Sequence, residues 1–350
     1  MRENRTLDVY KGKKILVTGH TGFKGTWLTT WLNVLGAEVT GCSLPALSGS
    51  LNTLDSFNEC VSEKFLDIRD KKGIVEFISN SDEFDLVFHL AAQPIVLDAY
   101  LDPLETFEIN SLGAANVVYA AMNNPSCAGI VVATTDKVYR PSNASRGHSE
   151  GDPLGGLDPY SASKSAAEML LAGLRITSEN NEFPIVSVRA GNVIGGGDNG
   201  KHRLIPDIVR GILNSEEIVI RNPNYVRPWM HVLDVLNGYL LVGAKILTNN
   251  EVSNAFNFGP NPGELLTVLE VAEQALESWG SGELGILQGI MPKKVEDAYL
   301  VLNSNLAKEE LGWLPKFDTR QAVDSTIQWW KSTSDLFSPL EAILMDIHKY

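Results

Sequence analysis

Hydrophobic and polar positions alternate with two different periods along the first half of the chain. Short apolar, β-branched runs predict buried strands at 13–18, 38–42, 85–90, 129–134 and 184–189. Apolar residues at helical spacing predict amphipathic helices at about 22–35, 104–122 and 160–178. Apolar strands separated by amphipathic helices are typical of a parallel sheet covered on both faces. The alternation therefore predicts an α/β fold with a doubly wound, Rossmann-like sheet.

The pattern changes after Arg189. Residues 195–200, Gly-Gly-Gly-Asp-Asn-Gly, have no periodicity and predict a loop, and helical stretches then mix with short strands and Pro-containing turns. A chain of 350 residues is long enough for two domains. We expect a dinucleotide-binding domain at 1–190 with a returning segment at about 232–260. The segments 191–231 and 261–350 are expected to form a smaller C-terminal substrate-binding domain.

Charge and composition restrict the partners. Lys plus Arg number 29 and Asp plus Glu number 43, giving a net charge of −14 and no long basic run, so nucleic acid is not an expected partner. No stretch approaches the roughly 20 apolar residues that span a bilayer, and segment 1–14 lacks the apolar core of a signal peptide. We expect a cytoplasmic protein that does not bind membranes. The spacing of Cys42, Cys60 and Cys127 fits neither a metal site nor a disulfide framework, so no metal is expected.

A glycine-rich segment lies between the first predicted strand and the first predicted helix. Residues 19–25 read Gly-His-Thr-Gly-Phe-Lys-Gly. The glycines allow a sharp turn and close approach to a pyrophosphate, and the helix N-terminus supplies N–H groups. The strand–turn–helix context favours a dinucleotide site over a tight turn without a ligand. The cofactor-binding residues expected here are Gly19, Thr21, Gly22, Phe23, Lys24 and Gly25.

The far end of this cofactor site is less well defined by the sequence. An acidic residue usually ends the second strand and binds the adenosine ribose, but Ser43 stands at about this position. A missing carboxylate removes one barrier to a 2′-phosphate, so NAD is expected while NADP stays open. Asp67 is placed either to meet the adenine end of the cofactor or to cap the helix that follows.

Two further motifs carry candidate catalytic groups. Tyr160 and Lys164 are four residues apart, so on a helix they share one face. A lysine cation beside a phenol lowers the pKa of the phenol and makes it a usable base. Taken alone, the pair fits an ordinary helix start. Residues 135–137, Thr-Asp-Lys, end the preceding strand, and together with the glycine loop they favour catalysis over a solvated strand end.

These motifs together resemble those of the extended short-chain dehydrogenases/reductases. More narrowly, the chain resembles the sugar-nucleotide 4,6-dehydratases, and within them the CDP-glucose 4,6-dehydratase branch. The similar segments are 90–94, 135–139, 152–164, 191–198, 203–207 and 227–229. The resemblance runs from about Lys13 to Trp330, nearly the whole chain.

The resemblance implies a reaction and a role for each catalytic residue. NAD is the implied cofactor and a nucleotide sugar the implied substrate, with CDP-glucose favoured. Tyr160, with Lys164 beside it, takes the proton of the sugar 4-hydroxyl, and Thr135 hydrogen-bonds that hydroxyl. Asp136 protonates the departing 6-hydroxyl, and Lys137 stands where the C5 proton is removed. These roles require a protonated Asp136 and a neutral Lys137.

The same resemblance implies further binding residues and an assembly. The remaining cofactor-binding residues are Ile68, Leu90, Ala91, Ala92 and Gln93, together with Tyr160 and Lys164. The substrate-binding residues are Asn192, Arg203 and Arg227, where arginine suits a diphosphate because it donates bidentate hydrogen bonds. A homodimer is implied through the helices near 104–122 and 160–178.

Two other functions remain open. A sugar-nucleotide epimerase or reductase of the same superfamily needs Tyr160 and Lys164 but no acid and base for water loss, so Asp136 and Lys137 argue against it. A non-catalytic, cofactor-binding scaffold would be expected to have lost catalytic residues. Thr135, Asp136, Tyr160 and Lys164 are all present, which argues against a scaffold.

Overall fold

A seven-stranded parallel sheet runs through the computed structural model, which describes residues 5–46, 51, 61–80, 84–142, 146–177, 183–220, 222–261, 263–286 and 299–350. The strands are β1 (Lys14–Thr18), β2 (Glu38–Ser43), β3 (Ser62–Phe65), β4 (Leu86–His89), β5 (Ile130–Ala133), β6 (Ile185–Ala190), β7 (Asn192–Ile194), β8 (Ile218–Ile220), β9 (Val226–Arg227), β10 (Trp229–His231), β11 (Ala255–Phe258), β12 (Leu266–Thr267) and β13 (Leu284–Ile286). The order in the large sheet is β11-β6-β5-β4-β1-β2-β3. This arrangement confirms the predicted doubly wound α/β fold.

Helices cover both faces of this sheet. They are α1 (Phe23–Val34), α2 (Lys71–Ser79), α3 (Val96–Leu101), α4 (Pro103–Phe107), α5 (Ala114–Met122), α6 (Pro159–Thr177), α7 (Leu204–Asn214), α8 (Val232–Leu247), α9 (Val268–Trp279), α10 (Asn305–Leu311), α11 (Thr319–Asp335) and α12 (Pro339–Lys349). Short 3₁₀ helices span Arg5–Tyr10 and Asp136–Val138. Within the described ranges, no helix combines the length and the apolarity needed to cross a membrane.

The five strands expected from the sequence all lie in the large sheet, whereas β3 was not predicted and α2 was anticipated only as the helix that follows Asp67. β3 reads Ser-Glu-Lys-Phe and is largely exposed at the edge of the sheet, so it shows no apolar run. The last residue of the predicted helix 160–178 lies outside the described residues, as does Cys60.

The helix predicted over 104–122 is interrupted. A π-helical segment, Glu108–Gly113, separates α4 from α5. A π turn changes which side chains face a neighbouring element. Here Asn110 Nδ2 donates to Ser163 Oγ at 3.0 Å and Ser111 Oγ donates to the Ser163 carbonyl at 2.7 Å. The interruption therefore ties this helical run to α6, which carries Tyr160 and Lys164.

Side-chain alternation along the strands divides the core between two faces. Ile15 and Val17 of β1 pack with α1 and α8, whereas Leu16 packs on the opposite face with α2, α5 and α6. All three side chains are fully buried. A strand buried on both faces reads as a continuous apolar run, which is why β1 was visible in the sequence.

The segment after β6 builds a second core and then returns to the first. Apolar residues of α7, α9 and α11 pack together in this second core. Between them, α8 packs under the sheet and β11 pairs with β6 in parallel register. α12 contributes Ala342 and Ile343 to the core around α1. The division into cofactor and substrate domains stays a prediction. The chain leaves the first core after β6 and returns to it through α8 and β11.

Candidate functional site

The glycine loop packs on the carboxyl edge of the sheet, where β1 meets β2 and β4. Gly19 has a φ of +75°, and a Cβ there would lie 2.6 Å from the Ala91 nitrogen, so only glycine fits. Its N–H donates to the Cys42 carbonyl at 2.8 Å. A Cβ on Gly25 would lie 2.1 Å from the Gly19 carbonyl oxygen. These two glycines therefore hold the loop against the strand ends.

The N-terminus of α1 has the features of a pyrophosphate site. Gly22 is the N-cap residue, is exposed, and provides no side chain to cap the helix. A Cβ there would meet only the Gly19 oxygen, at 3.4 Å, so the space above it is open. First-turn N–H groups and the positive end of the helix dipole favour a phosphate group at this position. The loop residues thus fit the pyrophosphate of NAD.

A polar cluster occupies the end of β2, where the sequence lacks the usual acid. Ser43 Oγ lies 3.1 Å from His20 Nδ1 and shares a 3.0 Å hydrogen bond with Thr21 Oγ1. His20 Nε2 lies 2.9 Å from Glu63 Oε1, a carboxylate that β3 brings beside β2. The carboxylate near this end of the cofactor site is therefore supplied by an unpredicted strand.

The suggestion that Asp67 caps a helix is wrong. The cap of α2 is Asp70, which accepts from the Gly73 N–H, whereas Asp67 forms an ion pair with Arg69 at 2.6 Å. The hydrogen bonds from Arg69 lower the pKa of Asp67, against partial desolvation. Ile68 beside it is buried and packs closely on Gly113. A contact of Asp67 with adenine stays a prediction.

The segment after β4 is fixed by its own hydrogen bonds. The Leu90 N–H donates to the Thr18 carbonyl at 3.0 Å, and Ala91 lies against Gly19. Gln93 Nε2 donates to Thr106 Oγ1 at 3.0 Å, and the Gln93 N–H donates to Asn110 at 2.9 Å. The side chain of Gln93 is thus engaged with the neighbouring helices, and residues 90–92 present mainly backbone to the loop.

Thr135 and Asp136 form a short hydrogen-bonded turn at the end of β5. Thr135 Oγ1 donates to Asp136 Oδ1 at 2.9 Å and accepts from the Lys137 N–H at 3.4 Å. Asp136 is buried, and within the described residues its Oδ2 has no hydrogen-bond partner. Desolvation raises the pKa of Asp136, against the nearby charges of Lys137 and Arg227. Burial thus shifts the pKa of this carboxyl group in the direction that a general acid needs.

Tyr160 and Lys164 lie on α6 facing this turn. Desolvation raises the pKa of Tyr160 to about 12, although a hydrogen bond with Thr135 lowers it. Lys164 Nζ donates to the Ala133 carbonyl at 3.2 Å. Desolvation and then the charge of Lys24 lower the pKa of Lys164 to about 7. In this arrangement burial raises the pKa of Tyr160 rather than lowering it, and the catalytic pairing of Tyr160 with Lys164 stays a prediction.

The three residues expected to bind substrate approach the site from the second region. Arg227 is buried near Asp136 and stacks over Tyr225 at 4.9 Å. Arg203 NH1 donates to both Asp198 oxygens, at 2.8 and 2.9 Å. Its positive charge also lowers the pKa of Tyr160. Asn192 follows Gly191, whose Cβ would lie 3.0 Å from Asp136 Oδ2. The structure thus gathers the predicted catalytic and substrate residues at one edge.

A buried ion pair beneath this site was not predicted. Arg189 Nε donates to Glu168 Oε1 at 2.8 Å, and Thr134 Oγ1 donates to the same oxygen at 2.7 Å. Arg189 NH1 also donates to the Tyr139 hydroxyl at 2.8 Å. Glu168 lies one helical turn beyond Lys164, which is the sequence signal that could have revealed it. The pair fixes both ends of the segment 134–139 that carries Thr135 and Asp136.

Comparison with known proteins gives a family match over most of the chain. The model of the NAD dependent epimerase/dehydratase family matches residues 15–259. The chain is 37% identical over 335 residues to CDP-glucose 4,6-dehydratase of Salmonella typhimurium, covering 92% of each. It is 24% identical to human dTDP-D-glucose 4,6-dehydratase, covering 95% of this chain and 94% of the relative. These matches confirm the resemblance that the motifs predicted.

Solved structures show the same fold. A dTDP-glucose 4,6-dehydratase of Bacillus anthracis in complex with NAD superposes with a TM-score of 0.77 at 23% identity, covering 94% of this chain and 100% of that one. UDP-glucose 4-epimerase of Thermotoga maritima superposes with a TM-score of 0.78 at 23% identity, covering 92% and 100%. At this identity the likeness establishes the architecture alone.

Proposed function

Because this chain belongs to the NAD dependent epimerase/dehydratase family and uses NAD, we propose that it is a CDP-glucose 4,6-dehydratase. Its similarity to sugar-nucleotide 4,6-dehydratases supports sugar-nucleotide dehydration by an enzyme of the hydro-lyase class. The observation that carries the proposal is the enclosed carboxyl group of Asp136, hydrogen-bonded to Thr135 beside Tyr160. An epimerase needs no such acid. The product would be a CDP-4-keto-6-deoxyglucose.

In the proposed mechanism, the chain supplies proton transfers and positioning. The glycine loop and the N-terminus of α1 would hold NAD, which would supply the hydride chemistry at C4 and C6. Tyr160 removes the proton of the 4-hydroxyl, which Thr135 orients, and the resulting ketone acidifies the C5–H. Lys137 takes the C5 proton while Asp136, whose pKa is raised by desolvation, gives its proton to the 6-hydroxyl, which leaves as water. The proton on Lys137 returns to C5 when C6 is reduced. Lys164, held at the Ala133 carbonyl, lies one helical turn after Tyr160 on the same helix.

Substrate binding would use cations from the second region. Arg227 lies near Asp136, so it could hold the diphosphate next to the reacting sugar. Arg203 is paired with Asp198, and rearrangement of this pair would free its guanidinium for phosphate. Asn192 would contact the sugar. These local charges compensate for the net charge of −14, which repels an anionic substrate.

The test of the proposed reaction is product mass. Purified protein is incubated with CDP-glucose and, in parallel, with UDP-, dTDP- and GDP-glucose. Loss of one water from CDP-glucose without net consumption of NAD is the expected result. Water loss only from a different nucleotide sugar would support the dehydration reaction but contradict the assignment of CDP-glucose as the substrate. An unchanged mass with an altered sugar configuration would favour an epimerase.

We also propose that two copies associate through α4 to α6. Large apolar side chains are exposed on these helices: Leu104 is 75% exposed, Met169 64% and Ile176 79%. An exposed apolar surface of this kind usually marks an interaction site. Packing of α5 and α6 against the same helices of a second copy would bury it. The cytoplasmic location stays a prediction, testable by cell fractionation.

A further inference from the structure

The turn at 135–138 forms only weak backbone hydrogen bonds of its own. The Val138 N–H donates to the Thr135 carbonyl at 3.4 Å, and the Lys137 N–H donates to Thr135 Oγ1 at 3.4 Å. Both are longer than the usual N–H···O distance of about 2.9–3.0 Å. A bond from outside the turn is shorter, since Ser165 Oγ of α6 donates to the Val138 carbonyl at 2.9 Å. The turn therefore takes its position from the structure around it.

One buried ion pair holds both flanks of this turn. On the N-terminal side, Thr134 Oγ1 donates to Glu168 Oε1 at 2.7 Å. On the C-terminal side, the Tyr139 hydroxyl accepts from Arg189 NH1 at 2.8 Å and donates to Asn257 Oδ1 at 2.6 Å. The guanidinium also lies over the Tyr139 ring, 5.2 Å from its centre. Thr134 and Tyr139 are thus joined to each other through Glu168 and Arg189.

The bonds of this ion pair are directional. Arg189 Nε and NH2 each donate to one oxygen of Glu168 at 2.8 Å, and NH1 also donates to the Glu150 carbonyl at 3.0 Å. Ser187 Oγ donates to Glu168 Oε2 at 2.9 Å. Burial of two opposite charges costs solvation energy, and apolar side chains of similar volume often stabilise a core equally well. The fixed geometry of the flanking segment is a reason to have a charged pair here.

We propose that Thr134 and Tyr139 are positioning residues, whose hydroxyl groups fix the 135–138 turn against the buried ion pair. Thr135, which orients the 4-hydroxyl in the proposed reaction, and Asp136, its acid, are then held at one constant placement relative to the sugar. A displacement of about 1 Å at such a position can lower a rate by roughly 10²-fold. The effect on catalysis rests on the proposed function, whereas the anchoring of the turn does not.

Removal of single hydroxyl groups tests the proposal. Thr134→Val and Tyr139→Phe should each lower kcat at least about tenfold with KM within about twofold, because bound substrate meets a displaced turn. Two matched variants lose a buried hydroxyl elsewhere. Ser187→Ala removes a bond to the same carboxylate, and Tyr10→Phe removes the 2.7 Å bond to the Leu240 carbonyl. These two should lose similar stability in urea but keep kcat within about twofold.

Hydrogen exchange in the ligand-free protein measures the turn without any reaction. Peptides covering 135–139 should exchange at least about threefold faster in the two flank variants, and at the wild-type rate in Ser187→Ala and Tyr10→Phe. Wild-type exchange or wild-type kcat in the flank variants would overturn the proposal, as would equal losses in all four. If no nucleotide sugar reacts with the wild-type protein, the proposed function fails, while exchange still decides whether the two hydroxyl groups anchor the turn.

Discussion

At the scale of single residues, the site contains groups whose pKa values burial shifts away from their values in water. Desolvation raises the pKa of Asp136 and lowers that of Lys164 to about 7. Each of these shifts costs stability in the folded protein, because the ordinary charged form is disfavoured. The acid of the proposed reaction therefore comes from desolvation rather than from a special residue type.

Substitutions should separate two steps of the proposed reaction. Tyr160→Phe is expected to abolish reduction of bound cofactor, because the base for the 4-hydroxyl is lost. Asp136→Asn should still allow that reduction while water loss slows by about 10²–10⁴-fold. Absorbance of the reduced nicotinamide and product mass are followed together, with Asp98→Asn, an exposed carboxylate, as the control. Failure of both variants at the same step would refute this division of roles.

Two buried histidines should make the protein sensitive to acid. Desolvation lowers the pKa of both His89 and His231 to about 3. The unfolded chain binds these protons below about pH 6.5, whereas the folded protein does not, so stability falls as the pH drops from 6.5 towards 3. Each histidine contributes about 1.4 kcal/mol per pH unit to this loss.

Urea unfolding at several pH values checks this expectation. In His89→Gln the free energy of unfolding should fall less steeply between pH 6 and 5, because one histidine's contribution is lost. His348→Gln, at an exposed position of α12, should leave that slope unchanged. His231 is neutral for a visible reason: its Nδ1 accepts from the Leu233 N–H and caps α8. An identical slope in wild type and His89→Gln would show that His89 is charged in the folded protein.

At the scale of elements, the glycine loop separates two uses of glycine. Gly25 is required by packing, because a Cβ there would lie 2.1 Å from a carbonyl oxygen. Gly22 is not required by packing, since its Cβ would meet only ordinary contacts. We infer that Gly22 leaves room for the cofactor and that Gly25 leaves room for the protein itself.

Alanine substitutions should therefore have different effects. Gly25→Ala is expected to lower the free energy of unfolding by about 1–3 kcal/mol, because the loop must move. Gly22→Ala should fold normally but bind NAD at least tenfold more weakly, a loss of about 1.4 kcal/mol. Denaturant unfolding and calorimetric NAD titration measure the two effects. Unchanged NAD affinity in a well-folded Gly22→Ala protein would place the pyrophosphate elsewhere.

Element patterns also show what could be read from the sequence. The apolar strands and the Tyr160–Lys164 spacing were visible because each depends on neighbours within a few positions. The carboxylate of Glu63 was not, because it reaches His20 through a polar edge strand. The contact of Lys24 with Tyr239 was also missed, since it joins residues that are distant in sequence and adjacent only after folding.

At the scale of the whole molecule, assembly is the main untested property. The exposed apolar side chains of α4 to α6 should place two copies side by side, so light scattering should give twice the mass of the chain. Met169→Glu, at a 64% exposed position of α6, should weaken association at least tenfold, or about 1.4 kcal/mol. Leu336→Glu, 77% exposed after α11, is the matched control. A wild-type monomer at working concentration would refute the dimer.

The return of the chain through α8 and β11 has a consequence for synthesis. β11 pairs with β6 and becomes the edge strand of the sheet on that side. Until residue 258 has left the ribosome, a nascent chain exposes the backbone of β6 and the apolar side chains that α8 covers. Unpaired edges of this kind promote aggregation. We therefore expect the growing chain to be most prone to aggregation while residues 190–258 are being made.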